Sequence, residues 1–249
     1  MKKPIKNTVI VFAHFLVWTV LLGVGGYLFT AYPDNEALGG IALGLNGTVV
    51  GIILPLHFKR TKIIAFRWLP AQAEIRKTIL ISVGFLLFFL LIFPFGFVGN
   101  RTTMKVFVNP PAFVPVVITF LFLLFSAISY AFIFWGGLLF MFQKAVGKYL
   151  AILLTSALFS LYHLAEFAFI SITPGFLLLM FVCALMLTSL TLVLDCVLPT
   201  LIIHQILQSL DFLTMAHNPF SDPAGLIANA MLLAISLGIY LLIFKGSVK

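Results

Sequence analysis

Charge is what this chain has least of: charged residues fill 9% of its 249 positions, and Asp and Glu together number 7. A soluble domain carries roughly a quarter charged side chains, so too few are present to cover a globular surface in water. Cysteine is equally scarce. The 2 present, Cys183 and Cys196, lie in or beside apolar runs and identify no redox compartment. Extended polar stretches are missing too. The longest, from Lys59 to Lys77, falls well short of the roughly 50 residues of a small folded domain.

What fills the chain instead is hydrocarbon. Apolar residues make up 62% of it and the mean hydropathy is +1.19, so its surface is expected to face lipid. The net charge of +8 would suggest nucleic acid in a soluble protein. Here the basic residues flank apolar runs, as they do beside membrane spans, and without a soluble basic domain nucleic acid is excluded as a partner.

A span needs about 20 mostly apolar residues, and the runs are 8–31, 37–57, 78–98, 113–142, 149–172, 175–194, 197–215 and 224–244. The expectation is an all-α, polytopic transmembrane helical bundle of about eight spans, with residues 1–249 forming a single membrane domain. Joining the sixth and seventh runs across Asp195 to Pro199 would give seven. The fourth is long enough to tilt or to project beyond the bilayer. The first follows a lysine-bearing start, but it exceeds the roughly 7–15 residues of a signal-peptide core and no small-x-small site follows it. It reads as a retained anchor.

Of the 15 Lys and Arg residues, all but Arg101 and Lys105 fall on one side of this arrangement. The positive-inside rule puts that side, with both termini, in the cytoplasm. Short loops and a lysine-rich start suit a bacterial plasma membrane. Ile63, Ile64, Phe66, Trp68 and Leu69 suggest that the Lys59–Lys77 stretch lies among lipid headgroups. Gly40-x-x-x-Gly44 and Gly47-x-x-x-Gly51 predict close helix packing.

Ionisable groups inside spans are costly and point to function by default. His14 stands alone on the first span and reads as a packing residue. The fifth span carries His163 and Glu166, three apart and so on one helix face. The seventh carries His204, Gln208 and Asp211, again on one face. Such stripes avoid lipid and are expected to turn toward each other. Two readings are open at this point. The groups form a hydrogen-bonded knot between helices, or they form a site where two histidines and a carboxylate hold a divalent metal or polarise a water for peptide hydrolysis.

Phe159-x-x-x-His163, within the frame from Gly147 to His163, and His204-x-x-x-Gln208 two helices later resemble two motifs of the CPBP family. That family groups the CAAX prenyl-proteases with bacteriocin-processing and bacteriocin-immunity membrane proteins, often termed Abi proteins. Its marks are EExxxR, then FxxxH, then HxxxN, and Gln208 stands here for the asparagine. The resemblance covers residues 113–212 and implies an intramembrane endopeptidase fold.

The first motif is missing. Counting back from Lys144, its glutamates would fall near Tyr130-Ala131 or Ala131-Phe132, and its arginine near Trp135. No carboxylate or arginine occurs from Phe113 to Gln143. At 1.5 Å per residue, Ala131 and His163 both lie about 20 Å into the bundle, so an alanine or tyrosine is expected to face His163. In the family, a glutamate of that motif is thought to activate water.

Three functions follow as expectations. One is a non-catalytic relative, a pseudoenzyme whose chamber binds a partner helix or stabilises another membrane protein. The second is an active peptidase acting on membrane peptides, with Glu166 as base and His163, His204 and Gln208 completing the catalytic set. The third is a transporter relaying protons or cations through His163, Glu166 and His204. No cofactor is required by the first. The lipid bilayer is a partner in all three.

Overall fold

The computed structural model describes residues 36–53, 67–96, 113–166 and 174–214 continuously. Residues 9, 12, 13, 15–20, 23–25, 27, 28, 56, 60, 234 and 238 are described singly or in short runs. Every element among the described residues is helical, and no strand occurs among them. In chain order the α-helices are α1 (Glu36–Thr48), α2 (Ile75–Gly96), α3 (Phe113–Tyr130), α4 (Leu139–Val146), α5 (Lys148–Glu166), α6 (Pro174–Leu194) and α7 (Leu198–Thr214). A π-helical turn, Val49–Ile53, extends α1, and a longer π-helical stretch, Ala131–Leu138, joins α3 to α4.

Among the described residues, two helical segments are long and apolar enough to cross a membrane, Leu123–Val146 and Leu177–Leu194. The predicted runs match the elements closely where both are described. Runs 175–194 and 197–215 become α6 and α7, separated by a real break after Leu194. The fourth run continues past residue 142 to Val146 through the π-helical stretch. Described residues between 9 and 28 are helical, as the first run predicts. Of the eighth run only Ala234 and Gly238 are described.

The segment Phe113–Val146 is the centre of the bundle. α1 and α7 pack on α3, α5 packs on α4 and the π-helical stretch, and α6 lies against both α5 and α7. α2 packs on α7. All eight residues of the π-helical stretch are buried, and Leu139 N–H donates to Phe134 O, five residues back. Such wide turns are uncommon and recur at functional sites.

Local chemistry explains the breaks. Gly147 ends α4 with φ 83° and ψ 164°, a region open essentially to glycine alone. Its N–H donates to Gln143 O, and its carbonyl accepts from Ala151 N–H at 3.1 Å to start α5. α6 opens on Pro174, whose missing N–H costs nothing in a first helical turn.

α5 and α6 run antiparallel: Ser160 Oγ donates to Leu177 O at 2.6 Å, and Ser156 Oγ to Thr188 Oγ1 at 3.5 Å. At the α6–α7 turn, Thr191 Oγ1 donates to Leu187 O, so the 2.7 Å bond between Thr191 and Thr200 is donated by Thr200. Small hydroxyl side chains let helices approach closely and lend polar links without lipid exposure.

Of the glycines expected to pack closely, Gly47 does so, and the surroundings of Gly51 lie outside the described residues. A Cβ on Gly47 would come within 3.1 Å of Phe125 on α3, whereas Gly40 and Gly44 meet nothing within 4 Å among the described residues. Gly25 is a further close approach, against Asn46 Oδ1.

Chain direction gathers charge at one end of the bundle. Lys144 ends α4, Lys148 begins α5, and the α6–α7 turn follows at the same end, where Asp195 meets Arg67. Glu74, just ahead of α2, acts electrostatically on Cys196 in that turn. Of the residues expected among headgroups, Trp68 packs its ring edge-on against Phe132 of the π-helical stretch at 4.9 Å, while Ile63, Ile64 and Phe66 lie outside the described residues. Leu69 beside it is 63% exposed.

Candidate functional site

Phe159 and His163 are one turn apart on α5, and the histidine Nδ1 lies 2.8 Å from the Phe159 carbonyl oxygen. A carbonyl only accepts, so Nδ1–H is the donor. In the neutral ring this leaves Nε2 as the basic nitrogen, since the bond made by one ring nitrogen sets the role of the other. The Phe159 ring lies tilted against the imidazole, 4.8 Å between centroids.

α7 supplies the second imidazole. His204 is buried, with three rings edge-on to it: Tyr130 at 5.2 Å, Trp135 at 5.2 Å and Phe159 at 5.6 Å. Tyr130 also lies 6.2 Å from His163, 5.5 Å from Phe159 and 5.4 Å from Tyr162. Phe134 closes the group against Phe159 and Tyr162. Edge-to-face pairs of this kind contribute roughly 0.5–1.5 kcal/mol each beyond the area they bury.

The two histidine helices therefore present their imidazoles to one aromatic cluster. Of the alternatives expected opposite His163, the ring in contact is that of Tyr130. Trp135 abuts His204. Nothing in the sequence singled out Phe134 and Tyr162 as walls of the site. An aromatic residue inside an apolar run lacks contrast with its neighbours, and only the FxxxH spacing pointed to Phe159.

The remaining candidates divide. Gln208 Oε1 is buried and finds no hydrogen-bond partner among the described residues, as do His204 Nδ1, Trp135 Nε1 and Gln205 Oε1. Gln205 uses its amide nitrogen on Ser209 Oγ at 3.1 Å. A buried polar group left unpaired costs about 1–3 kcal/mol. Glu166 is the last residue of α5, one turn beyond His163, and its side chain lies outside the described residues. Asp211 belongs to α7, also with its side chain outside them, and His14 lies outside them altogether.

A metal held by His163 and His204 would need further donors. Among the described residues no group of three His, Cys, Asp or Glu side chains stands together. The polar character of the cluster is that of two imidazoles, a phenol and an indole.

At the charged end, Cys196 is buried while Arg67 and Asp195 beside it pair at 2.8 Å. Burial pushes its thiol above the ordinary range, with Arg67 pulling the other way and Asp195 and Glu74 adding to the rise. Compared with family models, with curated proteins and with solved structures, the chain matches none of them.

Proposed function

We propose that the chain is an integral membrane protein of about eight spans, related to the CPBP family and no longer a protease. Its chamber serves as a scaffold that holds a partner helix or stabilises another membrane protein. The observation that carries this reading is Tyr130. Its ring touches both imidazoles where the family would present a glutamate to activate water. A general base typically contributes 10²–10⁴-fold, roughly, and a phenol buried among aromatic rings does not supply one near neutral pH.

Supporting the membrane setting, exposed large apolar residues such as Leu80, Leu87, Phe120, Leu161, Leu178 and Ile202 lie on the outer helix faces. Lipid suits them. The basic end, bearing Arg67, Lys144 and Lys148, faces the cytoplasm in this reading, and a bacterial plasma membrane is the compartment.

A second reading is favoured by the His163 geometry. With Nδ1–H tied to Phe159 O, the ring is oriented as a base or ligand would be, and Glu166 follows one turn later. An active peptidase would then use Glu166 on water beside His163. The purified protein, reconstituted in lipid, is tested against farnesylated CAAX peptides and a library of membrane peptides. No cleavage above the His163→Ala background is expected. Turnover that disappears in Glu166→Ala reverses the order of the two readings.

A further inference from the structure

Residues 67–70 reach the turn between α6 and α7 and hold it in three ways. Val197 N–H donates to Arg67 O at 3.0 Å, and Leu198 N–H to Trp68 O at 3.1 Å. These are N-terminal donors of α7 that no carbonyl of its own can serve, and the following residue, Pro199, has no N–H to satisfy. Arg67 Nη1 donates to Asp195 Oδ2 at 2.8 Å. Trp68 sets its ring edge-on to Phe132, within the π-helical stretch that also holds Trp135 against His204.

The turn itself is strained. Asp195 has φ 48°, in the left-handed region that aspartate tolerates better than most residues. Directly after it Cys196 is fully buried, although Asp195 and Arg67 are 58% and 44% exposed.

These attachments differ in strength. The ion pair is exposed and therefore weak and screened by salt. The two α7 N–H groups can be taken over by water once the carbonyls move away. Trp68 is half-buried, and its ring suits a headgroup layer as well as an aromatic neighbour. We propose that Arg67 and Trp68 form a releasable strap over the basic end of the bundle. Closed, it seals the Cys196 turn and pins the π-helical stretch through Phe132. Lifted, it opens both to the side from which the basic residues project. The strap is independent of whether the histidine chamber is catalytic.

The thiols make it testable, because Cys183 and Cys196 are the 2 cysteines of the chain. In reconstituted full-length protein carrying Cys183→Ala, the maleimide labelling rate of Cys196 is measured at low and high salt. The rate should be far below that of SDS-unfolded protein and should rise severalfold with salt or with Asp195→Asn. Trp68→Ala should raise it about tenfold, as a local opening exposes the turn. The companion variant Cys196→Ala leaves Cys183, buried on α6, to report loosening of the whole bundle, and its rate should stay flat. Labelling of Cys196 that ignores both salt and Asp195→Asn, or that accelerates equally with Cys183, overturns the strap. Asp195→Asn alters an exposed side chain at constant shape, so this outcome does not depend on Trp68→Ala folding.

Discussion

Tyr130 stands edge-on to His204 with 5.2 Å between ring centroids, and the same phenol ring lies 6.2 Å from His163. A single side chain of the central helix thus contacts imidazoles from two others. Such contacts hold helices together through packing, which is what remains to do so wherever a bundle lies in lipid.

Removing that ring should therefore be felt. Tyr130→Ala is expected to destabilise the protein by about 3–5 kcal/mol, the range for truncating a buried aromatic residue. Tyr130→Phe, which keeps every ring contact, should cost clearly less. Unfolding in mixed micelles, followed by tryptophan fluorescence, compares the two. Equal losses would mean that the hydroxyl, rather than the ring, holds the cluster.

The glycines of α1 give a position-specific test. Gly47→Ala pushes a methyl group into Phe125 at 3.1 Å and should lower stability by about 1 kcal/mol or more, as overpacking does. Gly40→Ala and Gly44→Ala meet open space among the described residues and should cost nothing. Thermal aggregation midpoints in one detergent would rank the three variants. A cost at Gly44 matching that at Gly47 would restore the GxxxG reading of this helix.

Thr191 and Thr200 share a 2.7 Å bond between α6 and α7. A double-mutant cycle with Thr191→Val and Thr200→Val should return a coupling near 0.6 kcal/mol and no more than about 1.7, the span found for polar links between membrane helices. A coupling of zero would show that each hydroxyl is served equally well by its own helix.

The Cys196 thiol carries a pH signature. Its proton is held more tightly in the folded chain, because burial raises the value from an ordinary 9.0. That contribution is complete below the unfolded value and is lost as pH climbs through the folded one. Wild type should lose stability relative to Cys196→Ala as the pH is taken above 9.0. Parallel pH profiles for the two proteins would count against a buried, neutral thiol.

Much of the helix pattern was readable because the runs are long, apolar and nearly free of charge. The 175–194 and 197–215 runs and the break at Asp195 needed nothing more. The histidines were equally legible, since His163 and His204 are polar residues in hydrocarbon and have few places to turn. Tyr130 and Trp135 came to notice only through the resemblance to the CPBP motifs, their side chains being chemically ordinary for their surroundings. The contact of Trp68 with Phe132 was not legible, for a physical reason. An indole beside arginines suits both a headgroup layer and a helix cap, and composition does not separate the two. Nor does any residue pattern announce the wide turn at Ala131–Leu138, which depends on which carbonyl each N–H selects.

That wide turn bears on how this chain should be compared with others. Each residue of an ordinary helix rotates the chain by about 100°, so a segment wound more loosely leaves everything after it facing a different way from what spacing predicts. Leu139 to Val146 are therefore out of phase with Phe113 to Tyr130. A gap-free pairing of this helix with a uniformly wound relative would match inward-facing positions at one end with outward-facing ones at the other. Deleting one residue between Ala131 and Leu138 would swing Lys144 about a quarter-turn around the axis, and with it the start of α5.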